Sequence, residues 1–249
     1  SESGYRVTFV DIDQPLLDKL NERGDYPIQL VTNEKAEQVT IGPVRAIHAS
    51  DSRAVAEAFM QATIGATAVG ARALPHIAPL VAAGLSRRAE GGVSEPVNLI
   101  ICENLKGAAA AFRAMVSDHL PERDIPFMQS NLGFVDTVIG RMVPPPTPEM
   151  RQQDPSLILV EPYKELPVDR AGFVGEIPAI VGMLPCDNFP AYTARKLYVH
   201  NCGHACLAYM GYLHGYEYGY EALSDASILA FVRAALAEST VGIVAEYGV

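Results

Sequence analysis

The segment RKLYVHNCGHAC, from Arg195 to Cys206, holds the side chains best suited to acid–base work. Its polar landmarks are Lys196, Asn201 and His204. On an α-helix advancing about 100° per residue, Asn201 lies about 140° from Lys196 and His204 about 80°, so the three share one arc. Lys196 and His204 are then about 12 Å apart along the axis, a spacing that flanks a multi-atom ligand. A lysine whose pKa is lowered by burial acts as a general base, and an asparagine amide stabilises an oxyanion. An amphipathic helix with scattered polar residues is the plainer alternative. Asn, Gly and His are weak helix formers, which argues against it.

The same segment reads His200, Cys202, His204, Cys206, and so invites a zinc reading. His200 and His204 share one helix face while Cys202 and Cys206 share another, so one helix cannot converge all four. There is no CxxC, and no metal is expected.

Three further sets of residues close apolar runs that read as strands. Asp11 ends YRVTFVD. In a dinucleotide fold, an acid at the end of a strand holds the adenosine ribose hydroxyls and repels a 2′-phosphate, favouring NAD over NADP. A cap on the following helix explains Asp11 equally well. Thr67 to Gly70 (TAVG) ends a second run, with small residues suited either to close ligand approach or to a tight turn. Cys102-Glu103-Asn104 ends a third, which suggests polar groups aimed at a site or simply a loop start. A GxGxxG phosphate loop occurs nowhere in the sequence.

The elements that must position these residues alternate in type. Strands are expected at Tyr5–Asp11, Ile28–Thr32, Val39–His48, Ile64–Gly70 and Val97–Cys102. Helices are expected at Asp13–Glu22, Asp51–Gln61, Leu74–Arg88 and Gly107–Leu120. Val97–Cys102 (VNLIIC) is nearly all apolar, as in strands covered on both faces. The alternation implies βαβ units and a parallel α/β sheet, which binds ligands at the carboxyl ends of its strands. Pro144-Pro145-Pro146, Pro148 and Pro155 mark a stiff excursion. Leu157–Pro162 and Leu166–Phe173 read as strands extending the sheet, and Ala191–His214 and Ser224–Tyr247 as helices. The expected division is an α/β domain over residues 1–188 and the start of an all-α domain over residues 189–249.

Composition narrows the partners. The 249 residues are 49% hydrophobic and 19% charged with a net charge of −10, enough to bury a sizeable core. No basic face collects, so nucleic acid is not expected. No unbroken apolar run of roughly 18 residues occurs, so no membrane span is expected. The four cysteines (Cys102, Cys186, Cys202, Cys206) form no disulfide framework and suit a reducing, cytoplasmic setting. Tyr209, Tyr212, Tyr216, Tyr218 and Tyr220 serve an interface or a core equally, which leaves the oligomeric state open.

Taken in order, VDID at Asp11, TAVG at Gly70, ICEN at Asn104, GFVDTVIGRMVPP at Asp136 and Arg141, and RKLYVHNCGH at Lys196, Asn201 and His204 resemble the polyol-specific long-chain dehydrogenases, the mannitol dehydrogenase family. The resemblance runs along essentially the whole chain. It implies a Rossmann-like NAD domain followed by a helical substrate domain, and a metal-independent, NAD-dependent oxidation of a secondary alcohol. D-mannitol 1-phosphate and D-fructose 6-phosphate are the pair it implies first, with free mannitol or a hexuronate as alternatives. By carry-over, Lys196 is the general base, Asn201 bonds the reacting oxygen, and His204 positions substrate or Lys196. Asp11, Thr67, Gly70 and Asn104 belong to the cofactor, and Arg141 and Glu161 to the substrate, while Asp136 is read as structural. The family's opening strand and glycine loop, and much of its C-terminal helical domain, lie outside this chain. Leu166 stands where many members carry Trp. A non-catalytic remnant that binds a nucleotide or a partner is the alternative of another class.

Overall fold

The structure is a computed structural model that describes residues 2–32 and 36–248. It divides into two compact units, Ser1–Pro185 and Cys186–Val249.

The first unit opens with β1 (Val7–Asp11), α1 (Gln14–Arg23), β2 (Tyr26–Val31), β3 (Ala36–Ile41), β4 (Val44–His48) and α2 (Ser52–Met60). It continues with β5 (Ile64–Thr67), α3 (Leu74–Glu90), β6 (Val97–Ile101), α4 (Ala108–Asp118), α5 (Ile125–Asn131) and β7 (Leu132–Asp136). After the proline-rich excursion come α6 (Pro148–Gln153), β8 (Ile158–Val160), β9 (Leu166–Asp169) and β10 (Met183–Cys186), the last of which ends on the first residue of the second unit.

Local chemistry starts these helices. Asp13 caps α1 by accepting the Leu16 N–H at 3.2 Å, and Gly24, at φ 70°, closes it in the left-handed region. Asp51 caps α2 through the Ala54 N–H at 2.9 Å. The expected parallel pairing is present, but in separate ladders. β1 pairs with β4, and β5, β6 and β7 form a parallel trio with β6 central. All five residues of β6 are buried, as its apolar run requires. Val97, Leu99 and Ile101 pack with Leu74 and Leu85 of α3, Phe112 and Val116 of α4, and Leu132 and Phe134 of β7. Each such side chain contributes about 1.5–3 kcal/mol on burial.

Three expectations are corrected. Val39–His48 is not one strand: Gly42 and Pro43 break it, and the halves join different ladders, β3 antiparallel to β2 and β4 parallel to β1. Leu166–Phe173 shortens to β9, because Arg170–Gly172 turns as a 3-10 helix capped by Asp169. The two late strands also do not extend one sheet: β8 adds to β2, and β9 pairs with β10.

Two buried polar residues lock this unit. Asn98, in the middle of β6, accepts the Val174 N–H at 2.9 Å and donates to the Val174 carbonyl at 3.2 Å, acting as an extra rung that holds residues 172–174 against the sheet. Gly133 on β7 is required beside it, because a Cβ there would collide with Asn98 Oδ1. Arg88, 2% exposed near the end of α3, donates to the carbonyls of Phe59, Met60 and Ala62 at the end of α2 and to that of Glu95 before β6.

The second unit is helical: α7 (Phe189–Arg195), a π-helical turn at Lys196–Asn201, α8 (Cys202–Leu213), α9 (Gly219–Leu223) and α10 (Ala226–Tyr247). Its core gathers Ala222, Ile228 and Val232 with Cys206, Leu207, Met210 and Leu236. Asp225 caps α10; hydrogen bonds from the Ser227 hydroxyl and from the Ser227 and Ile228 amides hold its carboxyl down at about 2. Among the described residues this one helix is long and apolar enough to cross a membrane by length and composition, Arg233 and Glu238 notwithstanding. Tyr209, Tyr212, Tyr218 and Tyr220 stand on the surface of this unit, Tyr218 and Tyr220 with stacked rings.

Candidate active site

The parallel trio places its strand ends side by side. Thr67 closes β5 opposite Ile101, and Asp136 closes β7 opposite the same residue. Beyond β5 the chain turns through Gly70, at φ +82°, into α3. Beside this turn lies a cavity of about 550 Å³ lined by Val69, Gly70, Ala71, Arg72, Ala73 and His76. Gly70 and Asn104 are exposed. Thr67 is buried, its hydroxyl donating to Glu103, so its contribution to this surface is the placement of the loop. Burial pushes the Cys102 thiol up to about 12, so at neutral pH it is no nucleophile.

Asp136 accepts the Ala109 N–H at 2.9 Å and so puts a negative charge at the start of α4, which has no side-chain cap of its own. That is a structural task.

Asp11 lies on the other parallel ladder, opposite His48. Its Oδ1 accepts the Ile12 N–H at 2.6 Å and the Asp13 N–H at 3.1 Å, and the residue is exposed. Asp13, not Asp11, caps the next helix, which removes the cap explanation of Asp11.

Arg141 and Glu161, 20 residues apart, are brought together. Arg141 Nε donates to the Glu161 carbonyl at 3.0 Å, and the Glu161 carboxylate accepts the Met142 N–H at 2.6 Å. The pair clamps the ends of the proline-rich excursion.

In the second unit the backbone departs from the α-helix where Lys196 and Asn201 sit, and His204 follows in α8. Lys196–Asn201 is π-helical. Bonding from i to i+5 widens the turn, so residues five apart are offset by a smaller angle than on an α-helix. Lys196 and Asn201 are five apart, so they come closer to one face than the 100° rule gives. The α-helical arc expected from the sequence is therefore corrected in the direction of convergence. π-turns of this kind recur at functional sites. His204 is exposed and packs edge-on against the His200 ring, centroids 4.6 Å apart. Cys202 and Cys206 sit with sulfurs 4.0 Å apart. Among the described residues no group of three or more His, Cys, Asp or Glu side chains is set to ligate a metal.

Two residues escaped the sequence reading. Glu103 was legible only as a polar strand end, whereas its carboxylate turns inward. Arg88 carried no sequence signal, because its carbonyl partners come from two other segments, the end of α2 and the stretch before β6.

A parallel α/β unit is thus followed by a helical unit that carries a lysine- and asparagine-bearing π-turn. Residues 1–182 match the mannitol dehydrogenase Rossmann domain and residues 188–248 the mannitol dehydrogenase C-terminal domain; the chain belongs to the mannitol dehydrogenase family. It is 40% identical over 247 residues, 99% of its length, to mannitol-1-phosphate 5-dehydrogenase of Brevibacillus brevis, and it spans 62% of that protein. The fold is shared with substrate-free D-sorbitol dehydrogenase, at a TM-score of 0.77 and 17% identity over 92% of this chain and 57% of that one. It is also shared with Pseudomonas fluorescens mannitol 2-dehydrogenase in a ternary complex with NAD and D-mannitol, at a TM-score of 0.71 and 19% identity over 93% and 56%.

Proposed function

We propose that the protein is an NAD-dependent oxidoreductase interconverting D-mannitol 1-phosphate and D-fructose 6-phosphate, with Lys196 as general base and no metal. The π-turn carries the chemistry, because it draws the base and an amide donor toward one face. The substrate pair rests on the 40% identity to mannitol-1-phosphate 5-dehydrogenase.

The donor set suits NAD: an exposed carboxylate at the end of β1, a glycine turn after β5 and an exposed amide after β6. Asp11 would accept hydrogen bonds from the adenosine ribose and repel a 2′-phosphate. Gly70 and Asn104 would line the path of the dinucleotide, on a loop that Thr67 anchors. When bound, NAD supplies the acceptor for the hydride that leaves the carbinol carbon. Lys196, in its neutral form, takes the hydroxyl proton, and Asn201 donates to the oxygen as it becomes a carbonyl. His204 orients the substrate or the lysine. Arg141 and Glu161 are assigned to the substrate, as a pair already braced against each other. The reaction is placed in the cytoplasm with a soluble sugar phosphate.

The test supplies NADH to the full-length protein with fructose 6-phosphate, fructose or a keto-hexuronate, and follows NADH loss. The expected result is turnover of the phosphate, with kcat/KM about 100-fold above that of the free sugar. Preference for fructose or the hexuronate would overturn the substrate assignment. No NADH loss with any of the three would overturn the proposed activity.

A further inference from the structure

We infer that Glu103 is a positioning residue for the cofactor: it holds the Thr67–Gly70 loop in the shape that a dinucleotide meets. The inference rests on the reading above, in which this surface takes NAD.

Glu103 lies two residues beyond the end of β6 and is 4% exposed, while its neighbour Asn104 is exposed. One carboxylate oxygen accepts from the Thr67 hydroxyl in a short hydrogen bond, and the other accepts the Val69 N–H at 3.0 Å. The two contacts bracket Ala68 and end one residue before Gly70, whose φ of +82° turns the chain into α3. Val69 and Gly70 form one wall of the cavity of about 550 Å³ beside this turn. The carboxylate thus supports the cavity wall from behind and does not enter the cavity.

A buried carboxylate is costly unless it is fully hydrogen-bonded. The strands do not need this one for pairing: β5 and β6 are already in register, and the Cys102 N–H donates to the Thr67 carbonyl at 3.1 Å. Its contacts go instead to Thr67 at the end of β5 and to Val69 in the turn that carries Gly70. Fixing that turn in advance removes an ordering cost from cofactor binding.

The experiment uses the full-length protein and reads NADH affinity by fluorescence titration, together with hydrogen exchange of the amides at residues 67–70. Glu103→Ala is expected to raise the NADH Kd by about tenfold or more, through loss of two charge-assisted bonds, and to speed exchange at Val69. The kcat at saturating NADH should fall far less. Glu103→Gln can still accept from Val69 with its carbonyl and meet the Thr67 oxygen with its amide, so it should recover most of the affinity. Thr67→Val removes one contact without changing shape and should give a smaller rise in Kd, which tests the idea even where Glu103→Ala does not fold. A purely structural role would lower the melting temperature and leave the Kd of the folded variants alone. If the unaltered protein binds NADH and both Glu103→Ala and Thr67→Val bind it within twofold, the positioning role is overturned while the cofactor reading stands. If the unaltered protein does not bind NADH, the cofactor reading fails and this inference with it.

Discussion

Replacing Lys196 with alanine in the full-length protein is expected to lower kcat about 1,000-fold or more, the scale on which a positioned general base acts. Substrate KM should change little, because the lysine acts on the proton that moves during the reaction. A small primary amine added to the solution should restore part of the variant's rate, and Lys196→Arg should not, because guanidinium does not give up its proton at working pH. The geometry behind this is the π-turn: residues five apart are displaced on an α-helix and drawn together when the turn is widened. Full activity in Lys196→Ala would remove the lysine from the mechanism.

The largest effect on stability is expected at Arg88. Its guanidinium reaches four carbonyls: three lie around the end of α2, and the fourth is that of Glu95. Arg88→Met keeps much of the volume and takes the donor away from the Met60, Ala62 and Glu95 carbonyls, while that of Phe59 keeps the Ala62 N–H at 3.1 Å. The expected loss is about 3–5 kcal/mol, a fall in melting temperature of about 10 °C for a chain of this size. Arg88→Lys should recover little of it, since one compact ammonium cannot span carbonyls on separate segments. A melting temperature within 2 °C of the unaltered protein for Arg88→Met would show that water or neighbouring groups satisfy these carbonyls and that the arginine is dispensable; the margin is about 1 kcal/mol.

Why Arg88 is invisible in the sequence is instructive. Beside Arg87 and Glu90 it reads as one of the charged residues closing a helix, and only the folded chain shows that its partners arrive from Phe59, Met60, Ala62 and Glu95. Features that depend on one local signal were readable. The apolar run of β6 announces a strand buried on both faces, and Asp51 announces the start of α2. Features that depend on a break in periodicity were not. Val39–His48 looks like one strand until Gly42 and Pro43 send its halves to different partners. β7 escaped because α5 runs straight into it, the capping residue Leu132 being already extended, with no glycine or proline between them. The π-turn escaped for the same reason: α-helical spacing was assumed through Lys196–Asn201, and nothing in residue type marks the extra residue per turn.

The candidate site was legible as a list of residues and less so as an arrangement. The polar strand ends at Asp11, Gly70 and Asn104 are exposed, as a ligand surface requires. Thr67 and Glu103 looked like their equals in sequence, but both face inward and bond each other. Pattern reading cannot separate the residue that meets a ligand from the one that holds it there, because both are polar groups ending an apolar strand.

The central claim is direct hydride transfer between a nicotinamide cofactor and a sugar phosphate, and an isotope label tests it most directly. The full-length protein is supplied with fructose 6-phosphate and NADH deuterated at both C4 positions of the nicotinamide, and the product is analysed by mass and NMR. The expected product is mannitol 1-phosphate with one deuterium on the new carbinol carbon, and no such product forms from Lys196→Ala in the same time. Product without deuterium at that carbon, or label lost to water, would contradict direct transfer and with it the proposed mechanism.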